Sequence, residues 1–272
     1  MNPGPFAQNN RQFFLIKLQY LGFRFHGWQK QPNNIPTVER MVLRTLRYVF
    51  DHSNFKVLAA GRTDAKVSVN ETWIELFLDD SKELEPDSFL ADFNQNLPSD
   101  IRALEIKKTD KDFNVIQAPK IKEYIYLFSH GEKFHPFCAS MMVYMKSELD
   151  IEIMQTAARL FEGTQDFWSY TYKPSETTET TSTIESCYIE KNELFTANFF
   201  PEESFVFRVT GAGFKRHQVR LMMGMLFDLG MHKLTLEEFL ETLDGSKKIH
   251  LSHIAPSSGL MLYKTEFQKT ES

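Results

Sequence analysis

Hydrophobic and polar positions alternate early in the chain. Phe14, Ile16, Leu18 and Tyr20 fall on one face of a stretch whose other face carries Lys17 and Gln19, the period of a half-buried strand over residues 13–20. Val38, Met41, Val42, Leu46 and Val49 then recur at three- and four-residue spacing. This predicts a helix that begins at Pro36–Glu39, takes Thr37 as its N-cap and lies on a sheet. Phe55–Ala60 is a short β-prone run, and Val69–Leu78 alternates Thr72, Ile74, Leu76 and Leu78 against Glu71, Trp73, Glu75 and Phe77, the pattern of a strand with one wet face. Pro86–Phe89 opens another helix that stops near Asn96–Asp100, and Ile101–Ile106 returns to the sheet. Lys107–Asp112, six polar residues between structured stretches, is the predicted boundary between an N-terminal domain of residues 1–108 and a C-terminal domain of residues 109–272.

The second half opens with a strand at Lys122–Phe128. Ile151, Met154, Ala157, Ala158 and Phe161 mark an amphipathic helix with Gly163 as its C-cap. Pro174–Ser186 is poor in apolar residues and reads as a mobile loop or hairpin tip, followed by strands at Cys187–Phe195 and Phe205–Val209. Gly211–Gly213 leads into a helix from Phe214 to Leu229, Thr235–Glu238 opens a further helix with a capping box, and Leu260–Phe267 closes the chain as a strand. The halves resemble each other in pattern. The fold class that follows is α+β, with two α/β domains of mixed, mainly antiparallel sheet flanked by helices and a groove between them.

Composition narrows the function. No apolar run approaches the roughly 18–20 residues a membrane helix needs, and residues 1–12 lack a leader's apolar segment. Cys138 and Cys187 are too far apart for a Cys-x-x-Cys site. A cytoplasmic protein without membrane association is expected. A net charge of −5 argues against coating nucleic acid by bulk electrostatics, so any such contact depends on local clusters. Arg40, Arg44 and Arg47 stand at helical spacing, Lys120 and Lys122 are close together, and so are Lys215, Arg216, His217 and Arg220. A solvated face is the commoner meaning of any one such cluster.

Gly61-Arg62-Thr63-Asp64-Ala65 follows the Phe55–Ala60 run directly, which puts three polar side chains at a strand's end, where loops carry chemistry. An Asp in a turn is usually a structural acid, bonded to nearby backbone N–H groups. Its neighbours change its weight. Gly27-Trp28-Gln29-x-Gln31, Gly61–Ala65, Asn96-Leu97-Pro98-x-Asp100-Ile101, Tyr124-x-Tyr126, Gly163-x-x-Asp166-Phe167, Gly213-Phe214-x-x-His217-x-Val219-Arg220 and Ala255-Pro256-x-x-Gly259-Leu260 occur in this order. The series, spread over residues 13–267, closely resembles the TruA family of tRNA pseudouridine synthases.

That resemblance implies the pseudouridine synthase fold and isomerisation of uridine to pseudouridine in the anticodon stem-loop of tRNA, by a homodimer with no metal and no small-molecule cofactor. It implies Asp64 as the catalytic carboxylate, Tyr124 as the tyrosine that stacks on the target base and Arg220 as the partner of the aspartate. Arg62 matches an arginine linked to base flipping, and Gln29, Lys66, Lys122 and Arg216 are the remaining candidate RNA contacts. The chemistry suits these types: a carboxylate must stay ionised, which a guanidinium favours, and a freed uracil must be retained while it turns, which an aromatic face permits. By pattern alone Tyr124 is core, Arg220 can snorkel to solvent, and His250 and His253 lack a third metal ligand. Where the family usually has Asp-Ala-Gly-Val-His, this chain has Asp64-Ala65-Lys66-Val67-Ser68. If that position is left-handed, Lys66 costs on the order of 1 kcal/mol. An RNA-binding relative without activity, a synthase acting on another RNA and an Asp64 hydrolase are the competing readings.

Overall fold

The computed structural model describes residues 11–80 and 82–268; residues 1–10, part of the stretch without a leader's apolar segment, lie outside the described residues. The chain order is β1 (Arg11–Tyr20), α1 (Val38–Phe50), β2 (Phe55–Ala59), β3 (Ser68–Asp79), α2 (Pro86–Asn96), β4 (Ile101–Lys108), β5 (Lys120–His130), β6 (Val143–Met145), α3 (Ile151–Arg159), β7 (Gly163–Asp166), β8 (Thr181–Lys191), β9 (Phe205–Gly211), α4 (Gln218–Gly230), α5 (Leu236–Leu243) and β10 (Leu260–Phe267). The strands form a single mixed sheet in the order β4-β1-β3-β10-β5-β9-β8-β7, with β2 also on β3 and β6 on β5. The architecture is the α+β, mainly antiparallel one that the sequence predicts.

The halves are joined by the last strand. Met261 and Leu262 of β10 pair in parallel with Ser68 and Val69, while the other edge of β10 runs antiparallel to β5, with Leu262 opposite Tyr124. The loop that ends at Val67 therefore emerges two strands away from Tyr124. Alternation sorts the cores. Phe14, Ile16 and Leu18 pack with Val38, Val42 and Leu46 of α1 and Phe89 and Phe93 of α2, whereas Tyr126 and Phe128 pack with α3, α4 and α5. Tyr124 contacts both clusters.

Local signals explain the helices. Thr37 is extended and its side chain accepts from the Arg40 N–H, as an N-cap should. Thr235 and Glu238 complete a reciprocal capping box at α5. Lys107 and Lys108, read as boundary residues, instead finish β4 opposite Leu15 and Phe14. α3 ends at Arg159, and Gly163, at φ 97°, begins β7 rather than capping the helix. Thr181–Ser186, read as loop, belongs to β8, where Thr181–Ile184 pair with β7, while Phe195 lies beyond that strand's end at Lys191. Helix α4 starts at Gln218, four residues later than the sequence suggests, because His217 adopts a left-handed φ of 56°.

The expected wet face of β3 is dry in part. Trp73 is 5% exposed because Val115, Phe113 and Phe267 pack with it, and Glu75 is fully buried beside Val115. Glu75 is there for a backbone group: its Oε2 accepts the Val115 N–H at 2.9 Å, although Oε1 has no partner. Burial raises its pKa, opposed by the Val115 N–H and by Lys56. Glu75→Leu strands the Val115 donor and should cost about 1–3 kcal/mol in chemical denaturation. Glu75→Gln keeps a carbonyl oxygen for that N–H and should cost less; equal losses would show that the bond contributes nothing.

Candidate active site

The Gly61–Val67 loop is held from beneath by the aromatic segment after β1. Trp28 donates its N–H to the Thr63 carbonyl at 3.1 Å, Lys66 donates to the Phe25 carbonyl at 2.9 Å, and the Tyr20 hydroxyl meets Thr63 Oγ1 at 2.9 Å. Two glycines make this approach possible. A Cβ on Gly22 would stand 2.0 Å from the Val67 carbonyl oxygen, and one on Gly27, at φ 88°, would stand 2.6 Å from that of Thr63. The segment that is too aromatic to be a linker is thus a cradle for the loop. Inside the loop Val67 donates to the Asp64 carbonyl at 3.3 Å, closing a turn in which Lys66 adopts φ 67°.

Asp64 is reached from the other end of the chain. Arg220, on the first turn of α4, brings Nη1 to 3.3 Å from Asp64 Oδ2, and its Nε donates to the Ala255 carbonyl at 2.8 Å. Ala255 in turn donates its N–H to the Arg220 carbonyl, and the Tyr126 hydroxyl donates to the Pro256 carbonyl at 2.7 Å. The Ala255–Gly259 motif is therefore the mount for the arginine, whose side chain is 16% exposed and does not snorkel out. Gly259 is obligatory there: a Cβ would meet the Leu127 carbonyl at 2.8 Å and the Tyr126 ring at 2.9 Å.

His217, read in the sequence only as part of a basic cluster and of a family motif, is the neighbour to which sequence reasoning gave no role in the site. Its Nε2 lies 3.2 Å from Asp64 Oδ2, and its ring packs on Tyr172 with centroids 4.6 Å apart. Burial lowers its pKa, with Arg220 and Arg216 acting in the same sense and Asp64 opposing. The imidazole is neutral near pH 7, and because Nδ1 is buried without a partner the single proton is best placed on Nε2, facing Asp64. The signal available in sequence was its place one helical turn before Arg220. Both contacts fall on Oδ2, so Asp64 Oδ1 is the oxygen left to a substrate.

These groups line a cleft of about 240 Å³ together with Arg62, Tyr124, Phe214 and Arg216. Tyr124 meets Phe214 edge to face at 5.1 Å, and burial, reinforced by the Asp64 charge, pushes its phenol pKa up. Arg62 is exposed, and Arg216 lies with its guanidinium 4.9 Å above the Tyr172 ring. Lys122, two residues before Tyr124 on the same face of β5, reaches the loop itself: a Cβ on Gly61 would stand 2.9 Å from its Nζ. Lys66 and Gln29 are exposed and lie outside the cleft lining, Lys66 with its Nζ 5.7 Å over the Phe23 ring. His250 packs on Trp168, and His253 bonds Asp228 at 2.8 Å. A larger hollow of about 310 Å³ beside Tyr20 and Met261 contains only Asp100 and Arg102 as charged groups, and Asp100 is engaged by Arg24.

Two costs in this site are measurable. Lys66→Gly relieves a left-handed side chain and should raise stability by about 1 kcal/mol, read from the denaturation midpoint; a loss would mean that the Phe23 contact outweighs the strain. Burial lowers the Lys122 pKa from 10.5 to about 8. The unfolded chain then binds more protons between those values, so the folded state is penalised in full below about pH 8 and not at all above 10.5. Lys122→Met should therefore raise the melting temperature at pH 7, and the gain should vanish as the pH rises through that window. A gain independent of pH would discard this account.

Comparison with known proteins agrees with the geometry. Residues 157–268 match the tRNA pseudouridine synthase family profile. Over 252 residues the chain is 28% identical to tRNA pseudouridine synthase A of Dictyoglomus thermophilum, covering 93% of this chain and 98% of the relative. The like-named protein of Thermodesulfovibrio yellowstonii is 28% identical over 260 residues, 92% of this chain and 97% of the relative. That of Shouchella clausii is 30% identical over 251 residues, 92% of each chain. With identity at that level carried along nine-tenths of both proteins, the chain belongs to the tRNA pseudouridine synthase A family.

Proposed function

We propose that this protein isomerises uridine to pseudouridine in tRNA, in the anticodon stem-loop, with Asp64 as the catalytic carboxylate. The observation that carries the reading is the Asp64–Arg220 pair at 3.3 Å in the cleft that Tyr124 also lines. The reaction breaks the C1′–N1 bond, turns the uracil, forms C1′–C5, releases the C5 proton and returns a proton to N1. Arg220 and His217 both engage Oδ2 of Asp64 and leave Oδ1 to act on the nucleotide as nucleophile or base. Because its pKa is raised, Tyr124 enters as a neutral phenol, suited to stacking on the detached base and to donating a hydrogen bond. Arg62, Arg216 and Lys122 supply positive charge around the cleft for the phosphates next to the flipped nucleotide.

The paired halves, residues 1–108 and 109–272, each contribute one member of the Asp64–Arg220 pair, which supports reading the groove between them as the RNA site. A homodimer is supported by Phe137, 70% exposed, which packs edge to face on the half-buried Phe199 next to Phe200. The test is tritium release from tRNA labelled at uracil C5, followed by mapping of the modified positions. Wild-type protein should release tritium, and Asp64→Asn, nearly isosteric but uncharged, should be slower by about a thousandfold or more. Release undiminished in Asp64→Asn would refute the assignment. RNA binding without release from any tRNA would leave an RNA-binding relative, and modification mapped outside the anticodon arm would replace the proposed target.

A further inference from the structure

The arginines of this acidic chain divide into two groups. Arg11, Arg24, Arg159, Arg208 and Arg220 are bound to carboxylates. Among the described residues, those without a carboxylate partner are Arg62 and Arg216 at the cleft, Arg102, and Arg40, Arg44 and Arg47 on α1. Arg40 is occupied by the Asn34 side chain and the Gln31 carbonyl. Arg44 and Arg47 are exposed, and Tyr48 beside them is 74% exposed. Positions 44, 47 and 48 stand at i, i+3 and i+4 and so share one helix face. Arg44 and Tyr48 line a groove of about 340 Å³ between α1 and the turn after α2, together with Met41, Asn96, Leu97 and Pro98 and with no acidic side chain in its lining, while Arg47 stands on the same helix face outside that lining.

The groove is mechanically tied to the cleft. Val38 and Glu39, at the start of α1, donate to the Gly27 and Trp28 carbonyls, and Trp28 donates to Thr63 in the Asp64 loop. At a rise of about 1.5 Å per residue, Arg44 stands about 9 Å and Tyr48 about 15 Å further along the helix axis, within the reach of a polymer bound at Asp64. Unpaired cations beside an open aromatic ring suit a polyanion whose bases have π-faces, and the chain's net negative charge makes such a local concentration the only electrostatic means of attracting one.

We propose that this groove is a second RNA subsite, in which Arg44 and Arg47 take backbone phosphates and Tyr48 takes an unpaired nucleobase, outside the reacting cleft. The proposal rests on the reading that the substrate is RNA. It is tested by binding of an intact tRNA transcript over a salt series, alongside tritium release. In the double variant Arg44→Gln/Arg47→Gln, affinity should fall about tenfold at low salt, and the slope of log Kd against log salt should flatten by about 2, close to 0.9 per lost phosphate contact. Tyr48→Ala should weaken binding by about five- to a hundredfold, while Tyr48→Phe should stay near wild type. All three should keep the wild-type melting temperature, and kcat at saturating tRNA should be unchanged. Wild-type affinity and slope in the double variant would overturn the phosphate assignment, and equal losses in Tyr48→Ala and Tyr48→Phe would overturn stacking. Loss of RNA affinity in these variants, in a protein that releases no tritium, would sustain the subsite while the proposed reaction falls. Unaltered binding beside Asp64-dependent release would do the reverse.

Discussion

A carboxylate in a turn becomes part of a site only when groups from elsewhere in the chain meet it, and here Arg220 comes to Asp64 from 156 positions away. Asp64 would be one more turn aspartate without Arg220 and His217 against its Oδ2. Their arrival depends on β10, which lies between β3 and β5 and so makes one sheet of two halves. The same strand is preceded by the turn that anchors Arg220 through Ala255. Joining the halves and arming the carboxylate are therefore the work of one short stretch, residues 255–262. Sheet pairing is non-local, and it carries the site with it.

Around that centre the chain accepts several local costs. Lys66 holds a left-handed backbone, His217 does the same at the entrance to α4, and Lys122 keeps an ammonium against Gly61 where burial disfavours charge. Such departures persist only where surrounding structure over-determines them, and here the surroundings are visible: three hydrogen bonds from the 20–28 segment fix the Asp64 loop, and Tyr172 packs on the His217 ring. Elsewhere, caps at α1, α3 and α5 are formed by side chains of the expected types. Left-handed backbone also occurs outside the cleft lining, at Asn33, Asn34, Asp51, Lys173 and His232, so the conformation by itself does not mark the site.

Legibility followed the range of the interaction. Thr37, the α1 stripe and the Thr235 capping box involve neighbours three or four residues apart, so periodicity and cap chemistry disclosed them. The alternation shows Glu75 as solvent-facing because Val115, whose N–H it accepts, lies 40 positions away. Thr181–Ser186 looked like a loop because its polar composition says nothing of the partner strand β7 that most of it pairs with. The α4 start was displaced by His217, whose left-handed φ reflects its contacts with Asp64 and Tyr172 and not any helix-breaking tendency of its own.

For the site, sequence alone supplied the ordered motifs, hence the family and Asp64, Tyr124 and Arg220 as candidates, because residue types and their spacing survive without coordinates. It also determined the amphipathic faces and most helix ends, which depend on local periodicity and hydrogen bonding. Tertiary structure decided which of those residues meet. It placed Arg220 on Asp64 and not in solvent, turned Lys122 toward Gly61, left Gln29 and Lys66 outside the cleft and added His217. The physical reason is that charge stabilisation and desolvation depend on distances of 3–4 Å between atoms remote along the chain, and only the packing of the two halves across β10 sets those distances.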